Sequence, residues 1–330
     1  MKTDGPDLRI GVVGVGTMGQ HHVRILSRLP GVKLTGLFDP NAERAEEISR
    51  RHDCPRVGSL EELLDDVDAL TVAAPTTLHA HIGQLALERG IHVLMEKPLA
   101  HDVENAARLL AVSRESGAVL MVGHVERYNP AIVKLMEMVR AVSEEIISVD
   151  ARRLMPFDGS RCLDVDVLYD LLIHDIDLAL EIVDSDMERV WASGRPVFSS
   201  QYDVAHTAVE FRNRSVATFW TAKCTPTKVR LITVATAGRY LTADTLSRSL
   251  TQYTAEKVPG SCVGACAMGE CRREEIDVPN EEPLQKEIDD FVESIREGRS
   301  PIVDGERGLK AMKALDLVAQ SIAGTARPGI

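Results

Sequence analysis

Short apolar runs alternate with amphipathic segments through the first part of the chain. The runs have the length of buried strands, and the segments between them repeat apolar residues at helical spacing. The predicted strands are the β-branched run that ends at Val13, a short strand near Arg56 and Val57, and residues 33–38, 69–73, 92–95 and 119–122. The predicted helices are residues 20–29, 41–52, 59–64, 78–89 and 103–116, the third beginning with a Ser59–Glu62 capping-box pattern. Repeated strand–helix units predict a doubly wound parallel sheet, with ligands bound beyond the carboxyl ends of its strands.

The pattern changes from about Pro130, where longer strands are separated by fewer helices. Helices are predicted at 131–142, 170–182, 284–297 and 305–322, and strands at 146–154, 190–197, 205–211, 216–221, 229–236 and after Arg239. Apolar residues alternate in these strands with polar ones such as Thr218, Thr221 and Thr233, which predicts a sheet with one covered face. We expect the last two helices to pack back on the first domain.

A glycine-rich turn joins the first predicted strand to the first predicted helix. It reads Gly14-Val15-Gly16-Thr17-Met18-Gly19. The three glycines would permit a tight turn, close approach of the backbone to a pyrophosphate and close helix–strand packing. The helix N-terminus would offer unpaired N–H groups to the phosphates. The alternative is a glycine-rich turn of an unrelated α/β protein.

An acidic residue, Asp39, ends the second predicted strand, twenty residues after Gly19. A carboxylate there hydrogen-bonds the ribose hydroxyls and repels a 2′-phosphate, so NAD is favoured over NADP. Arg44 is near enough in sequence to weaken that preference. The alternative role of Asp39 is to cap the helix that starts near Asn41.

Three loops follow predicted strands at the end of the sheet where ligands bind: residues 74–79, 96–98 and 123–130. The first holds a Pro-Thr-x-x-His turn and the second is Glu-Lys-Pro. With the glycine turn, these motifs resemble the glucose-fructose oxidoreductase / inositol dehydrogenase / MocA (Gfo/Idh/MocA) family, and the resemblance extends over nearly the whole chain. It implies NAD(P)-dependent oxidation or reduction of a sugar or polyol carbon.

The resemblance also implies an architecture and a set of cofactor contacts. The fold class is α/β: a Rossmann domain over residues 1–124, then an α+β domain over 125–330 with a large, open, mostly antiparallel sheet. The open sheet face is expected to form a homodimer or homotetramer, and the Lys97–Pro98 peptide is expected to be cis. The predicted cofactor-binding residues are Gly14, Gly16, Thr17, Met18, Gly19, Asp39, Pro75, Thr76, His79, Glu96 and Lys97.

A second family motif places Asp170 and His174 four residues apart, on one face of a regular helix. The resemblance implies that they act with Lys97 as the catalytic group. A histidine, with an ordinary pKa of ~6.5, suits the base that removes the hydroxyl proton. Asp170 would orient the imidazole, and Lys97 would hydrogen-bond the reacting oxygen. Whether Lys97 or His174 is the base stays open.

Residues 123–131 and 172–177 resemble the branch of the family that includes UDP-N-acetylglucosamine 3-dehydrogenases. That branch makes a 3-keto sugar, which an aminotransferase converts into the amino sugar of lipid A. A diphosphate needs cations, and Arg127, Arg152, Arg153 and Arg161 are candidates, with surface arginines as the alternative. The predicted substrate-binding residues are His124, Glu126, Arg127, Tyr128, Arg153, Arg161 and Asp177.

Composition excludes other partners. The 330 residues carry 38 Lys and Arg against 50 Asp and Glu, a net charge of −12, which argues against a nucleic-acid partner. No apolar run approaches the ~20 residues of a membrane span, and no signal-peptide pattern opens the chain, so a cytoplasmic protein without a membrane partner is expected. Cys262, Cys266 and Cys271 lack paired zinc spacing, and no metal is expected.

Three functions are therefore weighed. The first is oxidation of a UDP-N-acetylhexosamine. The second is oxidation of a free sugar or inositol by the same catalytic group. The third is a non-catalytic NAD-binding regulator, which the presence of Lys97 and His174 disfavours.

Overall fold

The computed structural model describes residues 6–141, 144–158, 166–255 and 271–324. The chain divides into two compact units. The first contains Met1–Val125 and Leu284–Lys313, and the second contains Glu126–Pro283 and Ala314–Ile330.

Nine α-helices lie in the described ranges. They are α1 Gly19–Leu26, α2 Ala42–His52, α3 Leu60–Leu64, α4 Thr76–Glu88, α5 Val103–Ser116, α6 Pro130–Arg140, α7 Ile173–Val183, α8 Pro283–Glu297 and α9 Gly305–Ile322. The starts of α2, α3 and α5 follow from side-chain caps: Asn41, Ser59 and Asp102 each accept a hydrogen bond from the backbone N–H three residues on. Glu62 completes the predicted cap differently, because its carboxylate accepts from Gly58 N (2.7 Å).

The first unit is built on a five-stranded parallel sheet of order β2-β1-β3-β4-β5. Its strands are β1 Leu8–Val13, β2 Val32–Phe38, β3 Ala69–Val72, β4 His92–Glu96 and β5 Leu120–Gly123. The short strand predicted near Arg56 is reduced to one bridge with Leu37. The order reverses between β1 and β3, which is where such sheets open a ligand crevice.

The second unit holds an eight-stranded sheet of order β13-β12-β11-β10-β6-β9-β8-β7. Its strands are β6 Ile146–Leu154, β7 Met187–Arg195, β8 Val204–Phe211, β9 Val216–Ala222, β10 Val229–Thr236, β11 Arg239–Asp244, β12 Ser249–Ala255 and β13 Cys271–Ile276. Every neighbouring pair is antiparallel except β6 with β9. The predicted fold class is confirmed.

The two faces of this sheet differ as the alternation predicts. Val149 and Ala151 of β6 are buried, whereas Asp150 and Arg152, which alternate with them, are exposed. The open face carries the exposed rings of Trp191, Trp220 and Tyr240.

One helix departs from the prediction. Residues 170–182 were expected to form a single α-helix, but Leu168–Leu172 is a π-helical turn and α7 begins only at Ile173. A π turn holds more residues per turn than an α-helix, so Asp170 and His174 are not spaced as on a regular helix. Such turns are frequent at functional sites.

Across the described ranges, no helix is long and apolar enough to cross a bilayer. The same ranges hold no group of three or more His, Cys, Asp or Glu residues arranged to bind a metal. Cys262 and Cys266 lie outside them.

Candidate active site

The glycine turn of the first unit is shaped by two glycines and left open at the third. Gly14 has φ +80°, and a Cβ there would lie 2.6 Å from the Ala73 carbonyl oxygen. A Cβ on Gly19 would lie 1.8 Å from the Gly14 oxygen, so helix and strand pack too closely for any side chain. At Gly16 a Cβ would meet no atom within 4 Å. This open backbone beside the start of α1 fits a dinucleotide pyrophosphate.

Asp39 is tied to the same turn. Its carboxylate accepts hydrogen bonds from Val15 N (2.8 Å) and Asn41 N (2.9 Å). The side chain that caps α2 is that of Asn41, so Asp39 does not have the alternative role of helix cap. Arg44 is also present, donating from Nε to the Val15 oxygen (3.1 Å) and pairing with Glu47. A carboxylate and a guanidinium thus both lie where a ribose would bind.

The Pro-Thr-x-x-His turn begins α4. Pro75 is exposed as its capping residue, while Thr76 and His79 are buried. The His79 ring lies between two carbonyl oxygens, 2.8 Å from that of Pro98 and 2.9 Å from that of Ala74. It therefore connects the loop after β3 to the loop after β4. The Lys97–Pro98 peptide is cis, as expected.

Lys97 is half-buried among buried neighbours, at the point where β4 ends. The carboxylate of the preceding residue, Glu96, is buried, and its Oε1 lies 3.1 Å from Nε2 of His22. Its Oε2 accepts a hydrogen bond from Lys97 N (3.3 Å). The Glu96 carboxylate thus holds the backbone N–H of Lys97 by a hydrogen bond. The predicted contact of Glu96 with the cofactor stays a prediction.

A second buried carboxyl group, Glu287 of α8, completes this cluster. Within the described residues neither of its oxygens has a hydrogen-bond partner. Burial and the charges of Glu96 and Asp290 raise the pKa of Glu287 well above its ordinary value. Burial also acts to raise the pKa of Glu96, but the hydrogen bond and charge of His22 outweigh it and lower that pKa. The contact with His22 thus favours the charged form of Glu96, whereas burial favours the neutral form of Glu287.

In the second unit, the predicted substrate residues form buried ion pairs. Arg153, with 3% of its side chain exposed, donates from Nε and Nη2 to Asp175 and from Nη1 to Glu126 (2.9 Å). The Glu126 carboxylate also accepts from Asn129 and Thr245. Burial lowers the pKa of Arg153, but the charges of Asp175 and Glu126 outweigh burial and raise it.

Arg127 forms a separate network. It donates to both carboxylate oxygens of Asp177 (2.6 and 3.1 Å) and pairs with Glu181 (2.8 Å). Glu181 also pairs with Arg140. Only 4% of the Arg127 side chain is exposed, and Tyr128 beside it is buried as well.

Arg127 and Arg153 are thus both engaged in buried ion pairs inside the unit. Their roles in substrate binding stay predictions. Arg152 points to the open face, opposite Leu231 in the register with β10. Arg161 lies outside the described residues, and its substrate role stays a prediction. Asp177 and Glu126 serve as partners of buried arginines. His124, which follows β5, is buried.

The predicted catalytic pair lies around the π-helical turn. His174 is half-buried between buried neighbours in the first turn of α7. The Asp170 carboxylate is buried, with Oδ2 3.1 Å from Nζ of Lys223, directly after β9. Asp170 thus has a cationic partner that the sequence analysis did not identify.

Comparison with known proteins agrees with this geometry. Residues 8–124 match the family model described as oxidoreductase family, NAD-binding Rossmann fold, and residues 164–327 match its C-terminal alpha/beta domain. The chain belongs to the Gfo/Idh/MocA oxidoreductase family. It is an oxidoreductase that acts on CH–OH donors, and its cofactor is NAD.

Individual relatives differ in what they oxidise. The chain is 32% identical to UDP-N-acetylglucosamine 3-dehydrogenase of Acidithiobacillus ferrooxidans over 93% of this chain and 95% of that protein. A crystal structure of that enzyme superposes with a TM-score of 0.87, 31% identity and coverage of 98% and 100%. Inositol 2-dehydrogenase of Paracoccus denitrificans is 31% identical over 66% of this chain and 64% of that protein.

Four titratable residues of these clusters were not predicted from the sequence: His22, Glu287, Lys223 and Arg230, the last with Nη1 3.4 Å from Oε1 of Glu126. His22 lies on α1, one turn after the glycine turn, beside a second histidine, and nothing in that spacing pairs it with Glu96. Glu287 is noticeable only as an acid on the apolar side of α8. Lys223 and Arg230 flank a Thr-Pro turn after β9, and a charge at a strand end is ordinarily solvated.

Proposed function

We propose that this chain oxidises a hydroxyl of a UDP-N-acetylhexosamine to a ketone, with the 3-hydroxyl of UDP-N-acetylglucosamine as the leading candidate. The observation that carries the proposal is the similarity to a UDP-N-acetylglucosamine 3-dehydrogenase along almost the full length of both chains. The glycine turn, the loop after β4 and the π-helical turn supply the parts that such a reaction needs.

NAD would be held by the backbone of Gly14, Gly16 and Gly19, with Thr17 and Met18 in the same turn and Asp39 at the ribose. The nicotinamide end of NAD would be lined by Pro75, Thr76 and the backbone of Glu96 and Lys97. His79 would hold the loop after β3 to the loop after β4. When bound, the nicotinamide accepts the hydride that leaves the carbinol carbon.

The proton of the hydroxyl must leave as the C–H bond breaks. We assign that proton to His174, the half-buried titratable group of the π-helical region. Lys97 would donate a hydrogen bond to the reacting oxygen and offset the negative charge that develops there. Asp170, which pairs with Lys223, would orient the imidazole and favour the imidazolium that forms.

A second candidate, oxidation of a neutral polyol such as inositol, is favoured by one observation. Arg127 and Arg153 are consumed by internal ion pairs, and a neutral sugar needs no cation. The same catalytic residues would serve, because the reaction at carbon is unchanged.

A substrate panel separates the two. Purified enzyme with NAD would be mixed with UDP-N-acetylglucosamine, UDP-glucose, N-acetylglucosamine, inositol and glucose, with a ketone trap present. Reduction of NAD followed at the nicotinamide absorbance should appear first with UDP-N-acetylglucosamine. Turnover of inositol alone would discard the nucleotide-sugar assignment and retain the catalytic residues.

The proposed product is a keto sugar, and an aminotransferase is the class of enzyme that would consume it, in lipid A synthesis if the sugar is the 3-keto derivative.

The exposed rings of Trp191, Trp220 and Tyr240 favour self-association through the open sheet face, as a homodimer or homotetramer. Light scattering coupled to gel filtration would measure the number of subunits.

A further inference from the structure

We propose that Arg230 is the cation of the second unit that binds an anionic group of the substrate. The inference rests on the proposed function, since it supplies the charge recognition that a UDP-sugar requires. Arg127 and Arg153, the cations predicted from the sequence, are engaged in buried ion pairs.

Arg230 lies on the covered face of the sheet. In the register of β10 with β6 it is opposite Arg153, and the next residue, Leu231, faces the open side with Arg152. The neighbouring positions on the covered face, Ile232 and Ala151, are buried. Arg230 is the second residue of β10, and 32% of its side chain is exposed, against 3% for Arg153. The two arginines share a face, and only one of them reaches solvent.

The hydrogen bonding of Arg230 is far from saturated. A guanidinium offers five N–H donors. Among the described residues, Arg230 has one side-chain contact, from Nη1 to Oε1 of Glu126 at 3.4 Å. That same oxygen is 2.9 Å from Nη1 of Arg153 and 3.3 Å from the Thr245 hydroxyl. Glu126 thus steadies Arg230 and is already shared, so most of the fork remains available.

Glu126 is the one carboxylate of the described residues that contacts Arg230, and it also pairs with Arg153. Burial and the nearby charge of Arg153 lower the pKa of Arg230, against the attraction of Glu126, Asp175 and Asp170. An oxyanion at the exposed end would offset that repulsion. The charge of Asp170 also acts on Arg230, so the cation lies within electrostatic range of the proposed catalytic pair.

The expected ligand is an oxyanion that presents two oxygens to the guanidinium. A guanidinium fork matches two oxygens of a phosphoryl or a carboxylate group. In a UDP-sugar this group is the diphosphate, and in a hexuronic acid it is the sugar carboxylate. A neutral sugar offers neither.

The test compares Arg230→Gln and Arg230→Lys with the matched control Arg152→Gln, which removes the same charge one register position away, on the open face. We expect Arg230→Gln to raise KM for UDP-N-acetylglucosamine roughly 10- to 100-fold with a much smaller change in kcat, as for loss of a charged hydrogen bond. Arg230→Lys should fall between, and Arg152→Gln should match the wild type. Activity on N-acetylglucosamine should not distinguish the variants, and glucuronic acid tests the carboxylate source. An unchanged KM for UDP-N-acetylglucosamine in Arg230→Gln would overturn the inference and leave the proposed function intact.

Direct binding decides the case in which the wild type does not oxidise UDP-N-acetylglucosamine. Calorimetric titration of the NAD-loaded enzyme with UDP, inorganic pyrophosphate and glucuronic acid then measures binding affinity, which does not depend on turnover. Binding that is lost in Arg230→Gln and kept in Arg152→Gln supports the inference although the proposed function has failed. Equal affinity of wild type and Arg230→Gln, or no binding to the wild type, overturns it. If Arg230→Gln does not fold, a wild-type affinity in Arg230→Lys for every one of these anions overturns it too.

Discussion

The glycine turn of the first unit and the arginine ion pairs of the second unit each use one residue type three times, and the two regions differ in what sets each residue's role. Gly14, Gly16 and Gly19 differ in what surrounds a missing Cβ, and their order along the chain already gives each its role. Arg127, Arg153 and Arg230 differ in their partners and in their exposure, and those partners come from distant parts of the sequence. A backbone constraint is local, whereas a charge acquires its role from whatever neutralises it.

The largest expected effect is in the first unit, at Lys97 after β4. Lys97→Ala should lower kcat by about 10²- to 10⁴-fold, because the reacting oxygen loses its positive partner, while NAD binding stays near that of the wild type. Steady-state kinetics and NAD titration would measure both. Lys33→Ala removes an exposed lysine of the same unit and should change neither. Normal turnover of Lys97→Ala would remove the catalytic assignment.

The next effect tests the second region through stability. Arg153→Met leaves Asp175 buried without its cation and Glu126 with only the 3.4 Å contact to Arg230, so it should lower the free energy of unfolding by about 3–5 kcal/mol. Arg152→Met, on the open face, should change it little. Urea unfolding would compare them. A stable Arg153→Met with a raised KM for a UDP-sugar would return Arg153 to the substrate site and weaken the contrast with Arg230.

Two alanine substitutions would sharpen the comparison within the glycine turn. Gly14→Ala should destabilise the fold by about 1–3 kcal/mol, because φ +80° and the Ala73 oxygen both oppose a Cβ. Gly16→Ala should keep the wild-type unfolding midpoint and weaken NAD binding, since its methyl group fills the open space proposed for the pyrophosphate. Thermal unfolding and NAD titration give both readings. Wild-type NAD affinity in Gly16→Ala would place the phosphates elsewhere.

A smaller effect concerns cofactor choice. Asp39→Ser removes the carboxylate that would repel a 2′-phosphate and leaves Arg44 in place, so the ratio of kcat/KM for NAD to that for NADP should fall about tenfold, equivalent to ~1.4 kcal/mol. The double variant Asp39→Ser with Arg44→Ala should recover part of the ratio. A ratio that does not move would show that Asp39 acts only on the turn.

The smallest effect is a pH dependence of stability at Glu287. Its pKa in the folded state is raised above the ordinary 4.5, so the folded chain holds a proton that the unfolded chain releases above that pH. The stability that this proton contributes is complete below pH 4.5 and is lost as the pH rises toward the raised pKa. Glu287→Gln does not titrate, so its free energy of unfolding should fall less between pH 5 and pH 8 than that of the wild type. Parallel slopes would mean that Glu287 is ionised.

The fold was predictable because its signals are periodic. The α5 and α9 boundaries agree with the predicted 103–116 and 305–322, and the parallel and mostly antiparallel sheets are both confirmed. The π-helical turn was not predictable, since Leu168–Leu172 has the apolar spacing of an ordinary helix. The arginine pairs were not predictable either, because they join residues far apart in the chain: Arg127 and Asp177 are 50 positions apart, and Arg153 and Asp175 are 22 apart.

The sequence by itself determined the glycine turn, the Lys97–Pro98 corner, the family and the alternation that gives the second sheet two faces. Each depends on residues that are close in the chain, where covalent geometry and periodicity set the result. Only the tertiary structure decided which arginines are neutralised, that Lys223 pairs with Asp170, and that Glu96, His22 and Glu287 share one buried cluster. These roles depend on burial and on charges brought together by folding, because a charge withdrawn from water is stable only beside a partner.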